Sequence, residues 1–279
     1  MATASQRGFT LIELVVTIVV GSIVVAFMAM FIVIPMEAYS AQTRRAQLVD
    51  DADSALRFMG RDIRASLPNS VRVTNGGTAI EFLATMDAAR YVDNGPLANA
   101  ALALDFTTQD AAFSTSVPFT QLTLPWSSSS AYLSIYNVGV PGANAYEMAN
   151  VITPQGTTIA ISAGATANQN LVTLSQGFQF AYGSPGKRVY LVSGPVSYLC
   201  DATAGTLTRY SEYSISSTQP ASAPAGATAS LVAGDVGSCQ FTYSAGTAQR
   251  NGLVTLTLQL TQSSESVQLL YEVQMVNSP

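Results

Sequence analysis

Histidine is absent from this chain of 279 residues, and the only cysteines are Cys200 and Cys239. The commonest general base and metal ligand is therefore missing, and two cysteines are too few for a Cys-rich zinc site. The sequence also lacks a G-x-S-x-G nucleophile motif and a phosphate-binding glycine loop. Its S-x-x-K match, Ser184–Lys187, contains the dipeptide Pro-Gly and predicts a tight turn rather than a Ser-Lys dyad. We therefore expect no enzymatic activity, no catalytic residue, no metal site and no cofactor.

Charge is also scarce, because only 10% of the residues are Asp, Glu, Lys or Arg and the net charge is −5. The basic residues between Arg44 and Arg64 are balanced by aspartates in the same stretch, so they form no basic patch. We therefore expect no nucleic-acid partner. After about position 70 the chain is rich in Ser, Thr, Ala, Gly, Val and Tyr, a composition that favours a β-rich domain outside the cytoplasm.

A long apolar segment near the amino terminus contains no charged residue from Leu14 to Ile34. At about 1.5 Å per residue, a helix of this length spans roughly 30 Å, the hydrocarbon thickness of a bilayer. The run is too long for a secretory signal peptide, although AYSA at 38–41 has the small residues of a cleavage site. A plain signal anchor, with Glu13 at the headgroup level, is the simplest interpretation.

The arginines around this segment do not decide its orientation, because Arg7 precedes it and Arg44 and Arg45 follow it. The cysteine pair and the polar, β-rich bulk of the chain favour export of the carboxy-terminal side. We therefore expect a single membrane pass with the head on the exported side.

A specific motif stands directly before the apolar segment. The polar leader MATASQR is followed by Gly8 and Phe9, and Glu13 stands four positions after Phe9. The stretch G-F-T-L-I-E-L resembles the class III signal of type IV pilins and type II secretion pseudopilins. The resemblance implies that a prepilin peptidase removes a leader at 1–8 by cutting between Gly8 and Phe9, and then N-methylates Phe9. It also implies a bacterial inner-membrane protein whose head lies in the periplasm and later on the pilus or cell surface.

Glu13 is an unusual residue for this position, since a carboxylate at membrane depth costs a few kcal/mol unless it is paired. After cleavage Phe9 would carry a positive amino group, and Glu13 lies about one helical turn away from it. The resemblance implies that Glu13 pairs with the Phe9 amino group of an adjacent subunit during assembly. It also implies the partners, which are other minor and major pilins, the prepilin peptidase, the inner-membrane assembly platform and the membrane itself.

The helical pattern continues beyond the membrane segment. Pro35 lacks an amide hydrogen and is expected to bend the helix, which divides it into a transmembrane half at 9–35 and an amphipathic half at 36–68. Pro68-Asn69 is expected to end the helix. Apolar residues recur at spacings of three and four, which predicts one face that packs under a sheet. These residues are Leu48, Ala52, Ala55, Leu56, Met59, Ile63 and Leu67.

From 69 to 279 the pattern changes to short β-like runs separated by Gly, Pro, Ser and Asn. We therefore predict an α+β fold, in which a long N-terminal helix packs on an antiparallel β-sheet head, as the type IV pilin resemblance also implies. Asn75-Gly76-Gly77 predicts a hairpin between the first two strands. Candidate strands lie at 71–74, 79–85, 101–106, 119–124, 131–136, 158–162, 171–174, 188–193, 196–200, 252–261 and 267–275.

Cys200 and Cys239 bracket residues 214–238, a stretch rich in Ser, Ala, Gly and Pro that we predict to be a long loop. In an oxidising compartment two cysteines in a polar head most simply form one disulfide, here a staple on that loop. A redox or metal role is the alternative, although no CxxC motif is present. A disulfide near the carboxy terminus also recurs in pilin heads.

Features of the head indicate which group of type IV pilin-like proteins the chain resembles. The stretch MGRDIRASLPNSVRV resembles J-type pseudopilins and PilW-like minor pilins, and RVYLVSGPVSYLCDATAGTLTRY is similar to MshO-type minor pilins of the mannose-sensitive haemagglutinin (MSHA) pilus. The head is also larger than that of a bulk pilin subunit. We therefore expect a minor pilin that helps initiate or cap assembly of a type IV pilus.

Two alternatives to a pilus subunit of this kind stay open. The first is a J-type minor pseudopilin of a type II secretion system. The second is a tip-displayed adhesin whose head binds a glycan or a surface. Trp126, Tyr132 and Tyr136 are aromatic residues that could contact such a ligand. Because strand aromatics usually pack one face of a sheet, core packing is the favoured interpretation.

Overall fold

A computed structural model of the chain describes residues 8–74, 76–93, 102–247 and 250–279. Of the leader predicted at residues 1–8, only Gly8 is among the described residues. The helical segments near the amino terminus follow one another without a break, and they are α1 (Leu11–Met28), a π-helical turn (Ala29–Val33) and α2 (Ile34–Arg64). Antiparallel sheet follows, so the predicted α+β architecture of a long N-terminal helix and a β-sheet head is confirmed.

The irregularity predicted at Pro35 takes the form of the π-helical turn Ala29–Val33, which directly precedes α2. Proline has no amide hydrogen, so the carbonyl of Phe31, four residues earlier, has no α-helical donor. A π-helical turn, in which hydrogen bonds skip one further residue, is a common response of a helix to such an interruption. The helix therefore continues through Pro35 rather than ending there.

Within the residues that the structure describes, the strands of the head form two antiparallel sheets. The strands are β1 (Arg72–Val73), β2 (Ala79–Tyr91), β3 (Asp110–Val117), β4 (Trp126–Ser128), β5 (Tyr132–Ser134), β6 (Ile159–Ala163), β7 (Asn170–Phe178), β8 (Arg188–Asp201), β9 (Thr206–Ser211), β10 (Thr228–Ala233), β11 (Val236–Ser244), β12 (Gly252–Gln262) and β13 (Glu265–Met275). The larger sheet has ten strands in the order β10-β9-β8-β2-β3-β7-β6-β4, with β1 paired to β2 and β5 paired to β8. The smaller sheet has the order β11-β12-β13.

The amphipathic half of the helix packs on the smaller sheet. In β12 the buried residues alternate with partly exposed ones, because successive side chains of a strand point to opposite faces. Gly60 permits a close approach of α2 to β13, since a Cβ at that position would lie 2.5 Å from the ring of Tyr271 in β13. The predicted apolar stripe of the helix is confirmed as buried along its whole length, at Leu48, Ala52, Ala55, Leu56, Met59, Ile63 and Leu67.

Polar contacts hold the helix against the larger sheet as well. The carboxylate of Asp62 accepts hydrogen bonds from the hydroxyl of Tyr198 at 2.7 Å and from Nε of Arg209 at 2.8 Å. Burial raises the pKa of Tyr198, so its hydroxyl stays protonated and donates this bond. Asp62 lies on α2 and its two partners lie on β8 and β9, so one carboxylate joins three elements.

The helix ends at Arg64, earlier than the predicted boundary at Pro68. The backbone beyond it pairs with β2 instead, because the amide of Leu67 donates to the carbonyl of Leu83 at 2.7 Å and the amide of Thr85 donates to the carbonyl of Ala65 at 2.8 Å. Leu67 is still buried, so the periodicity predicted its environment correctly and its backbone conformation wrongly. The hairpin before β2 is confirmed by the antiparallel pairing of β1 and β2, although Asn75 lies outside the described residues.

Two of the predicted strands are wrong. Residues 119–124 form no strand, because the amides of Phe119 and Gln121 donate to the side chains of Asn170 and Asp87 rather than to a neighbouring strand. The part of 101–106 that the structure describes, residues 102–106, contains only an isolated bridge at Leu104. Both segments nevertheless bury apolar side chains. Alternation of apolar residues therefore predicted burial at these positions and not backbone pairing.

Several other strands differ from the prediction in extent. The runs at 188–193 and 196–200 are one strand, β8, whose pairing with β2 contains a β-bulge at Ser193 and whose internal proline, Pro195, lies opposite Leu83. The predicted loop at 214–238 contains β10 and the beginning of β11, and β3, β4 and β9 arise where no strand was predicted. The strands at 158–162, 171–174, 252–261 and 267–275 are confirmed, with each end within four residues of its predicted position.

The predicted disulfide is present, with an S–S distance of 2.06 Å between Cys200 and Cys239. Its role differs from the prediction. Cys200 lies in β8 of the larger sheet and Cys239 lies in β11 of the smaller sheet, so the bond joins the two sheets. Between the cysteines, β9 and β10 pair with each other, and residues 212–227 connect them without a further strand, so only the first part of the predicted loop at 214–238 is present.

Replacement of both cysteines by alanine (Cys200→Ala with Cys239→Ala) should lower the free energy of unfolding of the head. The bond closes a segment with a sequence separation of 39, and a closure of that length stabilises by about 4 kcal/mol through restriction of the unfolded chain. Urea denaturation of the full chain in detergent micelles, followed by circular dichroism, measures this difference. Reducing agent should destabilise the wild type to the same extent and leave the double variant unchanged. Alkylation of wild-type thiols under denaturing, non-reducing conditions would contradict the prediction.

Candidate functional site

The residues that the sequence singles out at the amino terminus form the start of the long helix. Thr10 is the N-cap of α1, with extended backbone angles (φ −78°, ψ 152°) directly before the first helical residue. Its side-chain oxygen accepts a hydrogen bond from the amide of Glu13 at 3.3 Å. Thr10 therefore satisfies one of the amide groups that every helix leaves without an intrahelical partner at its amino terminus.

Glu13 completes the same motif in the opposite direction. Its carboxylate accepts hydrogen bonds from the amide of Thr10 at 3.3 Å and from the Thr10 hydroxyl at 3.2 Å. This reciprocal pair is a capping box, and a negative charge in the first turn is also favoured by the helix dipole. The carboxylate is therefore held beside the backbone amide that directly follows Phe9. A cut before Phe9 would create a positive amino group one residue from this position.

Thr10 is a residue of this site that the sequence interpretation above missed. The signal was present, because T-x-x-E directly before an apolar run is the sequence pattern of a capping box. The structure brings Thr10 and Glu13 together within one chain, whereas the predicted role of Glu13 is a contact between subunits. The two roles are compatible, since a carboxylate has two oxygens and accepts several hydrogen bonds.

The apolar half of the helix is uncovered. No residue of α1 is buried by the rest of the described chain, and Phe9 and Leu11 expose 77% and 83% of their surface. Among the described residues, Leu11–Arg64 is the helix that is long and apolar enough to cross a membrane. An apolar surface of this extent needs lipid or other apolar helices around it. The site is thus a membrane-anchoring helix that carries a capped carboxylate at its start.

Gly8 is the first residue that the structure describes. Among the described residues, a Cβ at Gly8 would meet no atom within 4 Å. That part of the chain therefore imposes no steric requirement for glycine at this position. This is the expected behaviour of a residue that has to fit a peptidase, and the cut between Gly8 and Phe9 stays a prediction.

The remaining residues singled out by the sequence lie in the head. Ser184–Lys187 forms the predicted turn, closed by a hydrogen bond of 2.9 Å from the Lys187 amide to the Ser184 carbonyl. Tyr132 is buried and Trp126 and Tyr136 are half-buried, so all three contribute to packing. Within the described ranges there is no group of three or more His, Cys, Asp or Glu side chains that could hold a metal ion.

Comparison with known proteins finds a match for one segment of the chain, at its amino terminus. The profile described as the prokaryotic N-terminal methylation motif matches residues 3–29. The match covers most of the predicted leader, the Gly8-Phe9 junction, the capping box and the whole of α1. No curated protein and no solved structure matches the chain. The chain therefore carries a prepilin-type signal, which supports a type IV pilin-like or pseudopilin-like protein, and the head has no counterpart in these comparisons.

Proposed function

We propose that this chain is a minor pilin that helps initiate or cap assembly of a type IV pilus of the MSHA type. In this proposal a prepilin peptidase removes residues 1–8 and methylates Phe9. The mature chain waits in the inner membrane with its head in the periplasm, and then enters the filament. The role is structural rather than enzymatic and needs no cofactor.

The methylation motif at residues 3–29, in register with the helix, carries this proposal. A signal of this type serves proteins that leave the bilayer and pack helix against helix in a filament. The uncovered surface of α1 suits both states, because it is apolar all round and the rest of the chain does not cover it. Glu13 then provides the one fixed charge near the helix start that a neighbouring amino group can pair with.

The proposed partners and location follow from the same features. The apolar helix would contact the membrane, the assembly platform and the helices of other minor and major pilins. The disulfide between Cys200 and Cys239 supports a periplasmic head, because disulfides persist in oxidising compartments. The large two-sheet head supports a minor rather than a bulk subunit, since a bulky head leaves less room for repeated neighbours in a filament.

Deletion of the gene in its native host tests the proposal against its main alternative, a J-type minor pseudopilin. Loss of surface pili with normal secretion of exoproteins, restored by the wild-type gene, is the expected result. Loss of secretion with normal piliation would favour the pseudopilin. Normal piliation together with normal secretion would contradict both. The third possibility, a tip-displayed adhesin, depends on a ligand-binding surface in the head.

A further inference from the structure

The head contains an open groove of about 900 Å³ whose lining residues all come from the β-rich part of the chain. The groove lies where the segment from β4 to β5 meets the connection between β9 and β10. Its volume is in the range of sites that hold small organic ligands. The residues that matter for its chemistry are Trp126, Ser128, Ser130, Gln155, Glu212 and Tyr213.

Two aromatic side chains that line the groove, Trp126 and Tyr213, are fixed by contacts with the rest of the head. Trp126 lies in β4, is paired with Ile161 of β6 and packs against the hydrophobic cluster of that part of the head. The hydroxyl of Tyr213 donates a hydrogen bond of 2.9 Å to the buried carboxylate of Glu81 and also contacts the hydroxyl of Ser197. Neither ring has to be ordered when a ligand arrives, and this reduces the entropic cost of binding.

The rest of the groove offers donors and acceptors of hydrogen bonds. The hydroxyls of Ser128 and Ser130 lie 3.1 Å apart, and Nε2 of Gln155 donates to the hydroxyl of Ser214 at 3.2 Å. The Glu212 carboxylate accepts a bond of 2.6 Å from the Thr228 hydroxyl, which leaves it further acceptor capacity. Hydroxyls and amides both donate and accept, as the hydroxyl groups of a sugar do.

The backbone around the groove is unusual at two positions. Glu212 has a positive φ of 63°, a conformation that is uncommon for residues other than glycine. Ser193, which also lines the groove, is the extra residue of the β-bulge in β8. Strained residues and β-bulges are concentrated at functional sites, because both aim side chains in directions that regular structure does not permit.

Charge limits which ligands fit. Among the described residues that line the groove, Glu212 is the only side chain charged at neutral pH, and the chain as a whole has a net charge of −5. A sialylated or sulfated sugar would bring a second negative charge without a lysine or arginine to pair with it. An apolar ligand would leave the serine hydroxyls and Glu212 without partners.

We propose that this groove binds a short neutral oligosaccharide. The apolar C–H face of a sugar ring packs on Trp126 and Tyr213, since aromatic side chains combine a flat apolar face with a polar edge. The sugar hydroxyls donate hydrogen bonds to the Glu212 carboxylate, and they donate to and accept from the hydroxyls of Ser128 and Ser130. This site is separate from the helix start, so the proposal does not depend on assembly of the chain into a pilus.

Tryptophan fluorescence tests the proposal directly, because Trp126 is the only tryptophan of the chain. The full-length chain is purified in a polyoxyethylene detergent, which lacks the sugar headgroup of common glycoside detergents. Linear neutral oligosaccharides of hexoses and of N-acetylhexosamines are titrated against it, with sialylated and sulfated oligosaccharides in parallel. At least one neutral oligosaccharide should shift the emission and protect Trp126 from acrylamide quenching, whereas the acidic ones should not.

Variants assign the effect to the groove, with calorimetry as the readout because Trp126→Ala removes the fluorophore. Trp126→Ala should weaken binding by about tenfold or more through the lost ring contact, and Trp126→Phe should weaken it less. Glu212→Gln, which keeps the size of the side chain, is a second test of the groove, and because Glu212 is exposed this change leaves the hydrophobic core intact. Tyr182→Ala is the matched control, since Tyr182 is an exposed tyrosine outside the lining.

The outcomes separate clearly. Unchanged binding by Tyr182→Ala together with weaker binding by Trp126→Ala and Glu212→Gln supports the proposal. Failure of every neutral oligosaccharide to protect Trp126 would overturn it. Equal binding of neutral and acidic oligosaccharides, or unchanged binding by a folded Trp126→Ala variant, would overturn it as well. Folding of each variant is checked by circular dichroism and by the absence of free thiols.

Discussion

The Gly8→Val variant is expected to keep its whole leader, so that the membrane-bound chain still begins at Met1, whereas the wild-type chain begins at an N-methylated Phe9. A larger side chain at Gly8 creates no clash with the part of the chain that the structure describes, because a Cβ there would meet none of its atoms within 4 Å. The expected block therefore arises at the peptidase, which must accommodate the residue before the cut. The effect should be close to all or none, since a branched side chain in a site shaped for glycine prevents the productive geometry.

Intact mass spectrometry of the purified membrane fraction measures this result. The wild type should lack residues 1–8 and carry one added methyl group, and Gly8→Val should show neither change. Gly21→Val is a matched control, because Gly21 lies in α1 and is likewise free of neighbours within 4 Å. It should be processed like the wild type. A wild-type chain that still begins at Met1, or one cut near Ala41, would show that the prepilin interpretation is wrong.

Replacement of Glu13 should abolish efficient entry into the filament while leaving insertion and cleavage intact. Removal of a carboxylate lowers the cost of placing the helix in lipid, so the isolated chain should insert at least as well. The amino group of a neighbouring subunit would then lose its partner, a loss of about 3 kcal/mol or roughly a hundredfold in affinity. The measurements are a count of surface pili and the co-purification of sister pilins.

The capping box supplies a design that separates two roles of Glu13. Glu13→Gln keeps an oxygen that accepts the Thr10 amide hydrogen bond but removes the charge, and Glu13→Val removes both. Thr10→Ala removes the N-cap, at a cost of about 1 kcal/mol, and keeps the charge. If charge pairing between subunits is the function, both Glu13 variants fail and Thr10→Ala supports near-normal piliation.

The other outcomes are equally informative. Normal assembly by Glu13→Gln with failure of Glu13→Val would mean that helix capping, and not charge, is the function of this residue. Normal piliation by both variants, with unchanged co-purification, would show that Glu13 is incidental. Chain levels and leader removal must match the wild type in each strain, so that a defect in assembly is not confused with a defect in processing.

Local periodicity explains the parts of the fold that the sequence predicted well. The apolar stripe from Leu48 to Leu67 repeats at spacings of three and four residues. In β12, buried and partly exposed residues alternate strictly from Val254 to Leu260. Each pattern reports which side of an element faces the core, and that information is contained in the segment itself. The capping box at Thr10 and Glu13 is local in the same sense, and although the sequence interpretation missed it, the T-x-x-E pattern contains the information that identifies it.

The errors share one physical origin, which is backbone hydrogen bonding to distant partners. The helix stops at Arg64 because the backbone of Ala65 and Leu67 pairs with β2. Residues 119–124 form no strand because the side chains of Asn170 and Asp87 take up their amides. A buried backbone group must find a partner somewhere, and the sequence does not show where that partner will be.

The sequence by itself determined the apolar helix, the Gly8-Phe9 junction and the inward faces of helix and strands, since each depends only on neighbours along the chain. Only the tertiary structure decided that the helix packs on strands β12 and β13, some two hundred residues away. It also decided that Cys200 and Cys239 join two sheets, and that the groove beside Trp126 gathers its lining from distant segments. These features depend on which strands pair and how closely they pack, and such long-range choices are settled by the energy of the whole fold rather than by any one stretch of it.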